Sequence, residues 1–368
     1  MLKEVPSIEL ELIAEPVLDE LPSGNDPRMD SSPLSPYFFL KDVRNQARAA
    51  ERNALVDNEP LLSLSNLWDP IIEQVPNLLH SSFKDLELAA WLIEAMTRRN
   101  GFAGFALGCD VARTLIENHW DSLFPYDEDD GPSDRVAPLI GLNGYDGEGT
   151  LLVPIASIPL TDIVEEQPYS LWEYEQASEI ERLDRDKKEQ KIALGGISLD
   201  KINNTVKATN GSFFIQCLKD IEMAQTAYHK LSVAIDDVVG DAQPSSHITK
   251  RLESCAQVVR YLAGDKLIVA QEQQEVEQLG EESTKGPTEC NQHPTQKLNT
   301  RSEAIEQLEK IASFFKQTEP HSPMAYGIEQ VIRWSEMALP DLLQELISDN
   351  EARAGYFRLT GIKPEKND

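Results

Sequence analysis

The sequence has 368 residues, and its 63 Asp and Glu outnumber its 34 Lys and Arg, which gives a net charge of −29. This charge repels phosphate backbones and anionic lipid surfaces, so we expect neither nucleic-acid binding nor attachment to a membrane surface. No apolar run reaches the roughly 18 residues that a bilayer span needs, so we expect no direct membrane insertion. The length predicts two or three domains.

The cysteines and the first residues of the chain indicate a cytoplasmic protein. Cys109, Cys217, Cys255 and Cys290 lie far apart and form no CxxC pair, so we expect either buried side chains that pack as small apolar groups or reduced surface thiols. Acidic side chains interrupt residues 1–20, which therefore lack the apolar core of a secretion signal.

Helical periodicity dominates residues 1–138, which we predict to form an N-terminal helical domain. After a turn-rich start, one helix is predicted from Tyr37 to Ala54, and a second carries the apolar face that begins at Trp68. A third helix is predicted to begin near Ser82, with Ser82 and Asp85 as its capping pair, and to be buried on nearly all sides.

Glycines are predicted to shape the end of this domain. Gly101 stops the third helix, and a fourth helix then carries Gly104 and Gly108 on one face, which would let a neighbouring helix approach closely. This helix is predicted to end at His119-Trp120-Asp121. The acidic loop at 127–130 that follows does not have the spacing of a calcium loop.

The middle of the chain is predicted to have two helical parts with different exposure. Residues 139–200 form a loop-rich connector, in which 151–159 is compatible with a short strand pair and 173–190 with a charged, exposed helix. Residues 201–265 predict a helical hairpin that turns at Pro244.

A polar linker at 266–299, helical in part at its start, is predicted to precede a small C-terminal helical domain at 300–364. In that domain Thr300 and Glu303 fit a capping box, and Ser322 with Pro323 would begin the next helix. Three or four helices of this length form a marginal core, so we expect oligomerisation to stabilise them.

No pattern in the sequence predicts a catalytic, cofactor or metal site. The six histidines form no HxH, HExxH or zinc-type spacing with cysteine. Glu319, His321 and Ser322 stand close together, but Ser322 lacks the context of a catalytic nucleophile, and a corner between two helices explains the group better. We therefore expect that the protein is not an enzyme; a hydrolase acting through His321 is the remote alternative.

Two strings of motifs resemble the TssA family of the bacterial type VI secretion system. The first, within about residues 1–140, is similar to the ImpA-type N-terminal domain, and the second, in about the last 65 residues, resembles the C-terminal domain of the shorter members. The first string comprises Leu21-Pro22-Ser23-Gly24-Asn25-Asp26-Pro27-Arg28, Lys84-Asp85-Leu86, Ala90-Trp91-Leu92, Gly101-Phe102, Gly104-Phe105, His119-Trp120-Asp121, Leu123, Pro125 and Arg135. The second comprises Phe314-Phe315-Lys316-Gln317-Thr318-Glu319-Pro320-His321-Ser322-Pro323, Arg333-Trp334 and Leu339-Pro340-Asp341-Leu342-Leu343.

The resemblance implies an all-α, multi-domain protein that helps to build a contractile injection machine. Shorter members are likened to ring components of phage baseplates, so the implied function is a ring-forming, baseplate-associated scaffold that helps to initiate tube and sheath assembly. The implied partners are further copies of the chain, the baseplate, sheath and inner-tube proteins, and the membrane complex. The implied location is the cytoplasm, with recruitment to the inner-membrane secretion complex, and no catalytic residues come with the family.

The oligomer interface is predicted on both sides of the corner at Thr318–Pro323, where aromatic and basic side chains of the kind enriched at interfaces are concentrated. The predicted residues are Phe314, Phe315, His321, Met324, Tyr326, Arg333 and Trp334. The family often carries a second basic residue where this chain has Lys316-Gln317, which implies an altered contact here. The alternative to a ring is an adaptor or chaperone for sheath or baseplate proteins.

Overall fold

A computed structural model of the chain describes residues 2–32, 34–57, 59–126, 131–145, 147–163, 167–282, 301–318 and 323–337, together with Leu342 and Glu345. Within these residues the secondary structure is helical, and the extended pairings are isolated bridges that build no sheet. The prediction of an all-α fold is therefore confirmed. The chain divides into two compact units, Met1–Lys285 and Gly286–Asp368.

The first unit contains helices α1 to α11 in its described residues, joined by short turns of 3₁₀ helix at Pro27–Met29, Leu61–Trp68 and Trp120–Ser122. The helices are α1 (Leu10–Ala14), α2 (Pro36–Asp57), α3 (Asp69–Ser81), α4 (Leu86–His119), α5 (Pro132–Asn143), α6 (Leu152–Ala156), α7 (Leu171–Glu181), α8 (Arg185–Ala193), α9 (Leu199–Ala208), α10 (Gly211–Val239) and α11 (Ser246–Glu282). None of the described helices is both long enough and apolar enough to cross a bilayer.

Helix α4 folds back on itself at Gly101 and forms the centre of the unit. The backbone leaves the helical region there, at φ 67° and ψ −145°. A Cβ atom on Gly108 would lie 3.0 Å from Cγ1 of Ile93, and one on Gly104 would lie 2.5 Å from the carbonyl oxygen of Met96, so the second half packs tightly against the first. The predictions that Gly101 ends a helix and that the glycines admit a close neighbour are confirmed, and the neighbour is the first half of α4.

A side-chain cap fixes where α4 begins. Asp85 accepts a hydrogen bond from the backbone N–H of Leu88 at 3.0 Å, so the helix starts at Leu86. The predicted capping pair of Ser82 and Asp85 is wrong, because the N–H of Ser82 still bonds to the carbonyl of Leu78 at the end of α3.

Residues 152–156 form helix α6, so the strand pair considered for 151–159 is also wrong. Pro154 lies in the first turn of α6, where a backbone N–H has no partner within the helix, so the missing N–H does no harm. Ile155 and Ala156 are buried in the core. Pro159 makes only an isolated bridge with Ser170.

The charged segment at 173–190 divides between α7 and α8 instead of forming one helix. Ser170 begins α7 with a capping box, in which Glu173 bonds back to the N–H of Ser170 at 2.9 Å. Helix α7 buries Ala177 and Ile180, whereas α8 has no buried residue. The predicted exposure therefore holds for α8 alone.

Helices α10 and α11 form the predicted helical hairpin, and α10 also packs along α4. Gly240, at φ 84°, ends α10 in the left-handed conformation that favours glycine. One hydrophobic cluster extends from Ile13 to Ala263, so the segments on either side of the predicted boundaries at 138 and 200 share a core. Helix α11 continues to Glu282, into the predicted linker, and residues 283–300 lie outside the described part of the chain.

Three of the cysteines are buried thiols, which is the first of the two predicted alternatives. Cys109, Cys217 and Cys255 are free and lie in the core. Burial raises the pKa of each, and that of Cys217 to about 12, so these thiols stay protonated near neutral pH. Cys290 lies outside the described residues.

Candidate functional site

The described part of the second unit is a pair of packed helices, α12 (Arg301–Thr318) and α13 (Pro323–Glu336). Among its described side chains, the buried apolar ones are the small Ala312 and Ala325. An ion pair between Lys316 Nζ and Glu329 Oε1, at 2.5 Å, joins the two helices. The larger described apolar side chains of both helices are half-buried or exposed.

Several of those larger side chains belong to the predicted interface. Phe314 is 60% exposed and Tyr326 62%, while Phe315 is half-buried with its ring centroid 5.7 Å from that of Phe314. Ile311 and Val331, which lie at helical spacing from other apolar residues of α12 and α13, are 43% and 50% exposed. Helical periodicity shows that such residues share a face, but it does not show whether the face is covered.

Arg333 and Trp334 contact Glu345 of the same unit. Trp334 Nε1 donates to Glu345 Oε1 at 3.3 Å, Arg333 forms an ion pair with the same oxygen, and Gln330 Nε2 donates to it at 2.8 Å. The hydrogen bond from Trp334, followed by those from Gln330 and Arg333 and the charge of Arg333, lowers the pKa of Glu345. Both predicted residues thus have a partner within the chain, and their role at an interface stays a prediction.

The rest of the predicted C-terminal site lies outside the described residues. This applies to His321 and its neighbours at 319–322, to the side chain of Met324, and to the segments predicted as helices at 339–347 and 351–359, apart from Leu342 and Glu345. The acidic loop at 127–130 in the first unit is outside them as well.

Three segments of the first string of motifs come together at the open end of the α4 hairpin, in a cluster that we call the clasp: residues 23–28, 84–86 and 120–125. Lys84 N–H donates to the carbonyl of Ser23 at 2.9 Å, and Phe124 N–H donates to the carbonyl of Lys84 at 3.1 Å. Leu86 N–H donates to the carbonyl of Phe124 at 2.7 Å, and the hydroxyls of Ser23 and Ser122 are 2.7 Å apart. The clasp therefore joins the N-terminal loop to both ends of α4.

An ion pair between the buried Asp85 carboxylate and the partly exposed Arg28 lies at the centre of the clasp. Arg28 Nη1 is 2.7 Å from Asp85 Oδ2, and its Nη2 is 2.8 Å from Glu87 Oε2, which also accepts the Tyr37 hydroxyl at 2.6 Å. The Asp85 side chain is fully buried. Burial raises the pKa of Asp85, and the charge of Arg28 opposes that rise.

Lys84 of the clasp and the adjacent His119 hold α1 in place. Lys84 Nζ donates to the carbonyl of Ile13 at 3.0 Å, and His119 Nε2 lies 3.2 Å from the same oxygen. Burial lowers the pKa of Lys84 to about 8. Burial, and then the charge of Lys84, also lowers the pKa of His119. These contacts bind backbone oxygens and bring no reactive pair together, so the clasp is suited to holding the fold.

The lowered pKa of Lys84 predicts how stability depends on pH. Between about pH 8 and 10.5 the unfolded chain keeps a proton on Lys84 that the native chain has released, so this residue's contribution to stability rises with pH. We expect the difference in free energy of unfolding between the wild type and Lys84→Met to grow in favour of the wild type by about 2 kcal/mol from pH 8 to pH 10. Urea unfolding of both proteins measures it, and parallel pH profiles would contradict the prediction.

Within the described residues, no three His, Cys, Asp or Glu side chains are grouped closely enough to hold a metal ion. Three of the histidines contact backbone oxygens. His80 Nδ1 lies 3.0 Å from the oxygen of Leu12, His119 contacts Ile13, and His247 Nδ1 lies 3.1 Å from the oxygen of Asn143.

Comparison with known proteins agrees with the placement of the clasp. Residues 14–144 match the family model described as ImpA, N-terminal, type VI secretion system. This range begins at the last residue of α1 and contains α2 to α5 and every segment of the clasp. The motif residues are thus the ones that organise the fold of the matched region.

Two known proteins are similar over longer stretches. The type VI secretion system component TssA1 of Pseudomonas aeruginosa is 21% identical over 351 residues, which is 93% of this chain and 96% of the relative. The structure of the TssA N-terminal domain from Burkholderia cenocepacia, which includes the conserved ImpA_N region, aligns with a TM-score of 0.60 at 22% identity. It covers 71% of this chain and 96% of its own, and this likeness shows a shared fold. The three comparisons thus agree: residues 14–144 match the ImpA-type N-terminal region, and the chain as a whole is similar to TssA components of type VI secretion systems.

Proposed function

We propose that this protein is a self-assembling scaffold of the type VI secretion system, which forms a ring-like homo-oligomer through its second unit and helps to initiate tube and sheath assembly at the baseplate. The match to the ImpA-type N-terminal region and the similarity to TssA1 along most of the chain support a structural or assembly role in that system. In this proposal the protein works in the cytoplasm, is recruited to the inner-membrane complex, and contacts baseplate, sheath and inner-tube proteins.

The observation that carries self-assembly is the exposed apolar surface of α12 and α13. Ile311, Phe314, Tyr326 and Val331 are each more than 40% exposed on a helix pair whose described buried contact is two alanines. Burying such side chains against another copy would release about 25 cal/mol for each Å² of apolar surface. Aromatic side chains are also enriched among the residues that dominate binding energy at interfaces.

The proposal predicts the mass of the full-length protein. We expect light scattering to give a multimer that persists on dilution, and electron microscopy to show rings. Val331→Glu and Tyr326→Glu should each reduce the mass to that of a monomer or small oligomer, because a carboxylate would have to be buried unpaired at the interface. An adaptor or chaperone that forms no ring would instead give a monomeric mass at all concentrations.

Two control variants separate an interface effect from a general effect of added charge. Val233→Glu makes the same replacement on α10 of the first unit, at a valine that is 44% exposed. Ser313→Glu adds the same charge at an exposed polar position of α12. Both controls should keep the wild-type mass. Loss of the multimer in all of these variants alike, or in none, would contradict a specific interface at α12 and α13.

A further inference from the structure

Helix α2 carries a row of basic side chains in an otherwise acidic protein. Lys41, Arg44, Arg48 and Arg52 follow one another at spacings of three and four residues, so they lie along one side of the helix. We call these four residues the basic stripe. Phe38 and Val56 continue the row at its two ends with the same spacings, and they are 40% and 81% exposed.

The basic stripe has more positive charge than its neighbours neutralise. Arg44 forms an ion pair with the buried Glu94. Glu51 already forms an ion pair with Arg98, whose Nε lies 2.6 Å from Glu51 Oε1. Arg48 and Arg52 have no ion pair or hydrogen bond with any described residue. Burial first, and then the charges of Arg44, Arg98 and Arg52, lower the pKa of Arg48 against the opposing effect of Glu94. A carboxylate from outside the molecule would relieve this crowding of guanidinium groups.

The N-terminal segment offers the complementary surface. Glu9, Glu11, Glu15, Asp19 and Glu20 are exposed, and none of them pairs with a described cation. Exposed leucines lie among these carboxylates: Leu12 at 36%, Leu18 at 62% and Leu21 at 40%. We call residues 9–21 the acidic strip.

We propose that the basic stripe of one copy binds the acidic strip of a second copy, so that the N-terminal unit contributes a self-contact of its own. The match is twofold, because each surface combines unpaired charges of one sign with exposed apolar side chains. Complementary charge around apolar contacts is the arrangement that gives interfaces their specificity. This inference rests on the proposed function, because the contact would serve a protein that self-assembles. The contact is separate from the one proposed at α12 and α13.

A second copy is the occupant that the protein itself supplies, because the acidic strip is an exposed surface of the same chain. Long polyanions such as nucleic acid would lie against the rest of a chain whose net charge is −29 and would be repelled. Two different surfaces that bind each other make a heterologous contact, and such contacts close into rings when the rotation between neighbours allows it. The proposed contact is therefore of the type that a ring requires.

Charge reversal in the full-length chain tests the contact. The Val331→Glu chain serves as the background, so that association through α12 and α13 is suppressed. Three further chains are made in this background. One carries Arg48→Glu and Arg52→Glu in the basic stripe, the second carries Asp19→Lys and Glu20→Lys in the acidic strip, and the third carries all four changes. Sedimentation velocity then compares self-association at about 0.02 M and about 0.5 M salt, where screening differs most. Arg48→Gln with Arg52→Gln serves as a milder pair, and circular dichroism checks that every variant is folded.

We expect the background chain to associate at low salt and to dissociate at high salt. Each pair of reversals should weaken association about tenfold, while the chain with all four changes should recover it, as should an equal mixture of the two reversed chains. Unchanged association in the singly reversed chains, or no recovery when both surfaces are reversed, would overturn the proposal. If Val331→Glu leaves the multimer intact, the interface at α12 and α13 is wrong, and the reversals still decide the present contact.

Discussion

Replacing Asp85 with alanine is expected to lower the free energy of unfolding by about 3–5 kcal/mol, the range for breaking a buried ion pair by removing one partner. The fully buried carboxylate of Asp85 has two roles, since it caps α4 at Leu88 N–H and pairs with Arg28. Its removal leaves both groups without that partner at the centre of the clasp. Urea unfolding followed by tryptophan fluorescence measures the change.

Asp26→Ala is the matched control, because Asp26 pairs with the same guanidinium at 3.1 Å but is 27% exposed. Partly exposed pairs contribute about 1 kcal/mol or less, and water can replace the carboxylate there. We therefore expect Asp26→Ala to destabilise the protein by about 1 kcal/mol. Equal losses for the two variants would contradict the assignment of Asp85 as the central residue of the clasp.

The sequence predicts the helices of the first unit well because its apolar residues recur with helical spacing and because residues that end helices stand between them. Gly101 is the clearest case, since a glycine between two apolar helical patterns predicts a break, and the chain reverses there. The start of α4 was misplaced because Ser82 and Asp85 are both good caps, and only the bond from Ser82 N–H to Leu78 decides between them. Local patterns do not reveal such competition between adjacent helices.

The contacts that form the clasp could not be predicted from the sequence. The segments of the clasp lie at 23–28, 84–86 and 120–125, and their residue types do not say that they meet. The hairpin of α4 brings the second and third segments together, and hydrogen bonds from Lys84 and Leu86 then align all three. The basic stripe differs, because its spacing is visible in the sequence, whereas only the structure shows that Arg48 and Arg52 have no ion-pair partner among the described residues.

The sequence also identified only part of the exposed apolar surface of α12 and α13, because a local pattern does not show how helices pack. Aromatic residue type identifies Phe314 and Tyr326, and the structure exposes both. Ile311 and Val331 carry no such signal, because an aliphatic residue on a helical stripe is as compatible with a core as with a surface. Their exposure is visible only in the structure, where Ala312 and Ala325 are the described apolar side chains that are buried.

Gly24→Ala is expected to destabilise the first unit by about 3 kcal/mol, through a backbone clash combined with an unfavourable φ angle. Gly24 has φ 70°, and a Cβ atom there would lie 2.1 Å from the carbonyl oxygen of Ser82. Because the obstacle is backbone, the loop would have to move away from residues 82–84 and strain the bond between Lys84 N–H and Ser23. Urea unfolding measures the loss, and hydrogen exchange at Lys84 N–H reports whether the clasp has opened.

Gly240→Ala separates the clash from the effect of φ alone. Gly240 has φ 84° at the end of α10, but no atom lies within 4 Å of the added Cβ, so the cost should be about 1 kcal/mol. The difference between the two variants, about 2 kcal/mol, is then the part that comes from the close approach of the N-terminal loop to the start of α4. If both variants lose the same stability, the left-handed conformation alone explains Gly24, and the loop does not need to approach Ser82 so closely.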